Sequence, residues 1–152
     1  MADKSKNNSK FKSSSTLDDI SALHNIYKPK NSRDTGSEYE TLAAAFLEQN
    51  GHTIITRNYR TRYGEIDIIS KCNSTLVFTE CKYRSSSKFG DPLEVVNLHK
   101  QQKICHTAMN FCVKYGYVNY PCRFDVIAIY KDGTIKHIKN AFEYSWILWL
   151  MN

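Results

Sequence analysis

The sequence lacks the long apolar segments that membrane insertion or secretion would need. No run of about 18 apolar residues occurs in the chain, so no transmembrane helix is predicted. The first eight residues, Met-Ala-Asp-Lys-Ser-Lys-Asn-Asn, contain no apolar stretch typical of a secretory signal. We therefore expect a cytoplasmic protein that has no membrane partner.

Paired cysteines are also missing. The five cysteines include no Cys-x-x-Cys pair, which argues against a structural zinc site and favours reduced thiols in a cytosolic protein. The five histidines are scattered along the chain, and we interpret each one as a surface or packing residue. The run Ser85-Ser86-Ser87 is accompanied by no Ser/His/Asp pattern, so the sequence does not favour a serine hydrolase.

Positive charge is only mildly in excess over the part of the chain expected to fold. The net charge is +6, and residues 1–35 hold seven basic and four acidic side chains. This segment is rich in Lys, Asn and Ser and too poor in apolar residues to offset the entropy of ordering, so we predict a disordered basic tail. A folded domain is expected over residues 36–142, followed by an apolar tail over 143–152. The charge permits a nucleic-acid partner without requiring one.

Two largely apolar runs on either side of a polar turn predict a β-hairpin within Gly64–Arg84. If Asn73-Ser74 is a two-residue loop, Cys72 pairs with Thr75, and Asp67 then lies directly opposite Glu80 on the same face. A four-residue loop would keep both acids on one face diagonally. A shift of one residue would place them on opposite faces.

Facing carboxylates are unfavourable in a purely structural hairpin. At an effective dielectric of ~20, two unit charges ~4 Å apart repel by about 4 kcal/mol. A divalent cation would turn this repulsion into attraction, and Mg²⁺ uses one or two carboxylates together with water and phosphate oxygens. Lys82 points the same way as Glu80 and could hold a phosphate or an attacking water. The alternative interpretation is a surface hairpin with ordinary charges.

Asp67, Glu80 and Lys82 resemble the Asp…(Asp/Glu)-x-Lys signature of the PD-(D/E)xK nuclease superfamily. Further motifs occur in the order seen in the YraN family of predicted endonucleases, which is similar to archaeal Holliday junction resolvases. These motifs are Glu40-Thr41-Leu42-Ala43, Arg57-Asn58-Tyr59-Arg60, Gly64-Glu65-Ile66-Asp67, Phe78-Thr79-Glu80-Cys81-Lys82-Tyr83-Arg84 and Arg123-Phe124-Asp125-Val126. The resemblance covers about Gly36 to Phe142. It implies an α/β fold with a restriction-endonuclease-like core, a mixed β-sheet flanked by helices.

The resemblance implies a metal-dependent endonuclease that hydrolyses phosphodiester bonds of DNA, with branched or structured DNA as a candidate substrate. Asp67 and Glu80 would hold Mg²⁺ or Mn²⁺, with the carbonyl of Cys81 as a third ligand, and Lys82 would orient the attacking water. Glu40 would be an extra ligand or would orient metal-bound water. Glu40 lies on the apolar stripe of a helix predicted from Glu38 to Asn50, and the alternative is a helix-start carboxylate stabilised by the macrodipole. The family usually has Gly before this Glu, where the present chain has Tyr39.

Basic residues near the acidic motif are candidates for nucleic-acid binding. Fork-shaped guanidinium groups suit phosphates, although a solvated basic loop is an equal alternative. Lys100 resembles a family lysine at a helix start, where the alternative is simple exposure. The nucleic-acid-binding candidates are Arg57, Arg60, Arg62, Arg84 and Lys100.

Three further strands and one more helix complete the prediction. The strands are expected at Thr53–Tyr59, Arg123–Tyr130 and Thr134–Ile138, and the helix from a cap at Asn97 to about Tyr115, where Gly116 ends it. For Asp125, an ion pair with Arg123 or a structural hydrogen bond is favoured over a catalytic role.

Two alternatives to the endonuclease remain open. One is a nucleic-acid-binding module that has a nuclease-like fold but does not cleave. The other is a structural protein that binds partners through its apolar C-terminal tail. DNA is favoured over RNA as the partner, and the analogy to junction resolvases admits a homodimer.

Overall fold

The computed structural model describes residues 32–85 and 96–144. Within these ranges the chain forms a helix, three strands, a second helix and two strands, which confirms the predicted order. The elements are α1 (Ser32–Gln49), β1 (His52–Thr61), β2 (Gly64–Cys72), β3 (Thr75–Arg84), α2 (Leu98–Tyr115), β4 (Cys122–Tyr130) and β5 (Ile135–Phe142). Neither of these two helices is long and apolar enough to cross a membrane.

The strands form one five-stranded mixed sheet in the order β1-β2-β3-β4-β5. Only β3 and β4 pair in parallel among these strands, because α2 provides the crossover between them. A buried cluster around Leu47, Ile68 and Ile127 lies under α1. A second cluster around Phe78, Phe111 and Phe124 lies under α2. The sheet therefore carries one helix on each face, as expected for an α/β domain.

The turn and cap residues read from the sequence perform the expected roles. Asn73 adopts a positive φ of 54° in the two-residue hairpin loop, and Cys72 pairs with Thr75. The side chain of Asn97 caps α2, and Gly116 ends it in the left-handed conformation with φ 77°.

Three elements extend beyond their predicted bounds. The helix predicted from Glu38 begins at Ser32, inside the segment predicted to be disordered. The first strand is longer than Thr53–Tyr59 at both ends. The edge strand β5 continues to Phe142 instead of ending at Ile138. Residues 1–31, residues 86–95 of the polar loop and residues 145–152 of the apolar tail lie outside the described residues.

The sheet opens between β2 and β3 beyond the hairpin. Described pairing between these strands ends at Ile68–Thr79. Beyond that pair, β2 stays paired with β1 as far as Gly64, and β3 stays paired with β4 as far as Arg84. Asp67 and Glu80 are the residues that follow the last pair. Asp67 and Glu80 therefore keep the predicted register, in which they are opposite residues, but the described ladder ends one pair before them.

A buried polar cluster surrounds Asp125, which is 1% exposed. Its carboxylate accepts hydrogen bonds from Nε of Arg123 at 3.0 Å, Nε2 of His137 at 2.8 Å and the backbone N–H of Asn140 at 3.0 Å. Burial alone would raise the pKa of Asp125, but these bonds outweigh it and hold the pKa below its usual value. The predicted structural role of Asp125 is confirmed.

Candidate functional site

The opening between β2 and β3 forms an open cavity of about 190 Å³. Strand β2 contributes to it from one side and β3 from the other, while the first half of α1 and the first turns of α2 supply the remaining walls. The lining residues are Gly36, Tyr39, Glu40, Glu65, Asp67, Glu80, Cys81, Lys82, Tyr83 and Lys100. All the residues predicted as catalytic or metal-binding therefore line one cavity.

Asp67 is buried at the back of this cavity, where 9% of the residue is exposed. Its Oδ2 accepts a hydrogen bond from the backbone N–H of Cys81 at 2.7 Å. Burial and the nearby Glu80 raise the pKa of Asp67 to about 6, although the hydrogen bond from Cys81 acts in the opposite direction. A buried acid whose pKa is raised by a second acid is the arrangement that a bound cation would relieve.

Glu80 has one carboxylate oxygen that is neutralised and one that is not. Its Oε1 contacts Nζ of Lys82 and lies 3.2 Å from Nζ of Lys100. Its Oε2 is buried and has no hydrogen-bond partner among the described residues. The prediction that Lys82 shares a face with Glu80 is therefore confirmed. Since buried carboxylate oxygens are rarely left without a partner, Oε2 is a vacant acceptor in this cavity.

The donor set fits a hard divalent cation, although the structure does not bring together a complete ligand group. Among the residues described, no three His, Cys, Asp or Glu side chains are arranged to hold a metal ion. Mg²⁺ needs only one or two protein carboxylates and takes its remaining oxygens from water and phosphate. Asp67 and the vacant Oε2 of Glu80 can supply those carboxylates.

Glu40 reaches the cavity from α1 but is already engaged. Its Oε2 accepts a hydrogen bond from the Asn58 side chain at 2.8 Å and lies 3.7 Å from the guanidinium of Arg57. Asn58 holds this position with a left-handed backbone, φ 53°, within β1. Non-glycine residues with such a backbone are uncommon in strands and concentrate at functional sites.

Tyr39 occupies the position where the resembled family usually has glycine, and it joins the wall of the cavity. Its ring stacks on that of Tyr83 with a centroid separation of 4.2 Å. Burial, followed by hydrogen bonding with Tyr83, raises the pKa of Tyr39 to about 12. The stack links α1 to the end of β3, so the helix stays close to the site despite the larger side chain.

The five basic candidates fall into different environments. Lys100 lies in the acidic cavity, and Arg57 binds Glu40 beside it. Arg60 pairs with Glu65 at the surface at 3.0 Å. The two others have no described contact with the acids: Arg62 packs over the ring of Tyr63, and Arg84 has a buried Nε without a hydrogen-bond partner.

Sequence reasoning missed the role of Asn58. Its motif was recognised, but its amide was not assigned to Glu40, eighteen residues away along the chain. The available signal was an asparagine in the middle of a strand pattern, because asparagine tolerates the left-handed conformation better than most residues.

The fold and the cavity define an α/β protein with a mixed acidic and basic site at a split in its sheet. The model of the uncharacterised protein family UPF0102 matches residues 39–129. The chain belongs to this family.

Curated relatives cover most of the described domain. A UPF0102 protein of Desulforapulum autotrophicum is 49% identical over 107 residues, covering 68% of this chain and 88% of the relative. A UPF0102 protein of Lachnoclostridium phytofermentans is 43% identical over 114 residues, covering 74% of this chain and 96% of the relative. Another, of Clostridioides difficile, is 42% identical over 113 residues, with coverage of 74% and 99%.

Among solved structures, the Ca²⁺ complex of Pyrococcus furiosus SfsA is similar, with a TM-score of 0.34 and 13% identity. The match covers 72% of this chain and 63% of that chain. At this TM-score the likeness is too weak to transfer detail of the fold or of function.

Proposed function

We propose that this protein is a metal-dependent endonuclease that hydrolyses phosphodiester bonds of DNA, including branched or structured DNA, in the cytoplasm. The observation that carries the proposal is the cavity in which Asp67, Glu80 and Lys82 meet, with Oε2 of Glu80 left as a buried acceptor. The resemblance of the same three residues to the PD-(D/E)xK signature supports it.

Asp67 and Glu80 would hold Mg²⁺ or Mn²⁺, with the backbone of Cys81 beside them. The ion, when bound, supplies charge stabilisation to the phosphate and lowers the pKa of a coordinated water. Asp67 is kept in place by the N–H of Cys81, so its second oxygen remains available for the ion. Glu40 is held by Asn58 at the edge of the cavity, where it can orient a water through its other oxygen.

Lys82 and Lys100 supply positive charge on the opposite side of Glu80. When a phosphate enters, their ammonium groups can transfer hydrogen bonds from Oε1 of Glu80 to phosphate oxygens. Lys82 is then positioned to orient the attacking water and to stabilise charge that develops on the phosphate.

The alternative is a module that binds nucleic acid without cleaving it. The contacts of both lysines with Glu80 favour this alternative, since they already neutralise one of the two acids. The absence of three converging ligands among the described residues points the same way.

Cleavage assays separate these two functions. Branched, single-stranded and duplex DNA would be incubated with wild-type protein in Mg²⁺ or Mn²⁺, beside Asp67→Asn and Lys82→Ala. Glu48→Gln and Lys114→Ala are the controls, because each removes a charge of the same sign at an exposed position outside the cavity. Cleavage by wild type and both controls, lost in the two site variants while DNA binding persists, supports the endonuclease. Equal binding without cleavage by every form supports the alternative.

A further inference from the structure

A second cavity, of about 460 Å³, lies next to the acidic one. The end of β1, the start of β2 and the first turns of α2 form its walls. Its lining residues are Arg60, Thr61, Gly64, Glu65, Lys100 and Lys103. We call this cavity the basic groove, because three of its six lining residues are cationic and one is acidic.

The basic groove and the acidic cavity share two residues. Lys100 and Glu65 line both spaces, and the Nζ of Lys100 lies 3.2 Å from Oε1 of Glu80. A ligand lying along the groove would therefore meet the acids at Lys100. A repeating anion could therefore place one charge in the acidic cavity and further charges in the groove.

The positive charge of the groove is available to such a ligand. Within the described chain, no carboxylate lies within ion-pair distance of exposed Lys103. The acid in the groove, Glu65, pairs with Arg60, and their side chains are 45% and 73% exposed. Exposed pairs of this kind contribute little stability, so Arg60 can exchange its partner for a phosphate at small cost.

Gly64 allows a close approach between the β1–β2 turn and α2. A Cβ at this position would lie 3.2 Å from Cβ of Lys103 and 3.6 Å from Oγ1 of Thr107. The missing side chain lets the β1–β2 turn pack directly against α2. This contact places Lys103 and Arg60 in the walls of one groove, although the two residues belong to elements that are distant in the sequence.

From this geometry we infer that the basic groove binds the backbone phosphates of the DNA strand that enters the acidic cavity, with Lys103 and Arg60 as phosphate-binding residues and Lys100 at the junction. The inference rests on the proposed function for the identity of the ligand. The inference adds Lys103 to the candidate DNA-binding residues. It also predicts that the DNA strand runs between α2 and the β1–β2 turn.

The test measures binding without cleavage. Fluorescein-labelled single-stranded and duplex oligonucleotides would be titrated with full-length protein in EDTA, at several salt concentrations, by fluorescence anisotropy. The variants are Lys103→Ala and Arg60→Ala. The matched controls are Lys114→Ala, an exposed lysine at the other end of α2, and Lys136→Ala, an exposed lysine of the edge strand β5 that lies outside the groove.

Both groove variants should weaken DNA binding several-fold. Each should also make the slope of log K, the logarithm of the association constant, against log[salt] less negative by about 1. The controls should stay close to wild type. Groove variants that bind like wild type, or that weaken binding no more than the controls do, would overturn the inference.

The outcome is separable from that of the proposed function. If the groove variants bind DNA weakly while wild type never cleaves it, the inference about the groove is supported and the proposed endonuclease activity is overturned. If wild type cleaves DNA while Lys103→Ala and Arg60→Ala bind and cleave it normally, only the inference about the groove is overturned. If wild type binds no DNA, both proposals are overturned.

Discussion

The carboxylate of Asp67 binds the backbone N–H of Cys81 in place of a backbone carbonyl of a neighbouring strand. Its Oδ2 accepts the backbone N–H of Cys81 at 2.7 Å, at the point where β3 has left β2. A side chain thus satisfies a donor that a continuous ladder would have paired with backbone. The split in the sheet is stabilised by the same residue that is the leading metal-ligand candidate.

This dual role predicts a difference between two substitutions of Asp67. Asp67→Asn keeps an oxygen that can accept from Cys81, whereas Asp67→Ala leaves this N–H without a partner. Both variants remove the charge beside Glu80, so the difference between them does not depend on that charge. We expect Asp67→Ala to be less stable than Asp67→Asn by about 1–3 kcal/mol. Urea unfolding of both variants in EDTA measures the difference, and equal midpoints and slopes would show that the bond contributes nothing.

The raised pKa of Asp67 predicts how stability depends on pH. Because its folded pKa of about 6 lies above the usual 3.8, the folded protein holds this proton more tightly than the unfolded chain does. The resulting stabilisation is fully present below about pH 4 and is lost as pH rises through about 6. Relative to Asp67→Asn, metal-free wild type should lose stability across that interval, by at most about 1.4 kcal/mol per pH unit.

Unfolding of both proteins at intervals from pH 4 to 8 measures this dependence. Asp125, whose pKa is shifted in the opposite direction, is present in both proteins, so its contribution cancels in the comparison. A difference between wild type and Asp67→Asn that stays constant over the whole range would contradict the raised pKa.

The backbone of Asn58 makes a third prediction. Its φ of 53° lies in the left-handed region, while its amide holds Glu40 at 2.8 Å. Asn58→Gly keeps the conformation and loses the amide, whereas Asn58→Ala loses the amide and strains the backbone. We expect Asn58→Ala to be less stable than Asn58→Gly by roughly 1 kcal/mol.

Asn73→Gly is the matched control, because Asn73 has nearly the same φ of 54° but lies in the hairpin loop. Urea unfolding of the three variants gives the comparison. If alanine is tolerated at position 58 as well as glycine is, the left-handed backbone has no role in placing Glu40.

Local patterns predicted the hairpin register and the nearness of Asp67, Glu80 and Lys82. These features depend on a turn at Asn73 and on the two-residue period of a strand, both of which the sequence displays. The split between β2 and β3 was not predictable in this way, because each half of the opening follows a different neighbouring strand. The alternation of apolar and polar residues along a strand does not indicate where two neighbouring strands of a sheet separate.

Contacts between side chains that are distant in the sequence could not be predicted either. The contact of Lys100 with Glu80 depends on how α2 is rotated over the sheet, and a lysine in the first turn of a helix is usually exposed. His137 was interpreted as a surface or packing residue, yet it binds Asp125 at 2.8 Å across the β4–β5 pair. Nothing near either residue in the sequence indicates its partner, since both contacts arise only when separate elements pack.

The contact between Lys100 and Glu80 leads to a prediction about metal affinity, which rests on the proposed function. The ammonium of Lys100 lies 3.2 Å from Oε1 of Glu80, so a cation bound by Glu80 is repelled by Lys100. At an effective dielectric of ~20, a unit charge within a few ångströms of a divalent ion costs several kcal/mol, so even partial relief changes affinity about tenfold. Lys100→Met should therefore bind Mn²⁺ more tightly than wild type and bind DNA more weakly in EDTA.

Calorimetric titration with Mn²⁺ and anisotropy with labelled DNA measure these two opposite effects. Lys103→Met is the matched control, because it removes a lysine one turn further along α2 that contacts neither acid among the described residues. It should leave Mn²⁺ affinity near the wild-type value while weakening DNA binding. A Lys100→Met protein with unchanged or weaker Mn²⁺ affinity would mean that Glu80 does not bind the ion. In that case Lys100 and Glu80 are better understood as a fixed ion pair in a protein that binds DNA without cleaving it.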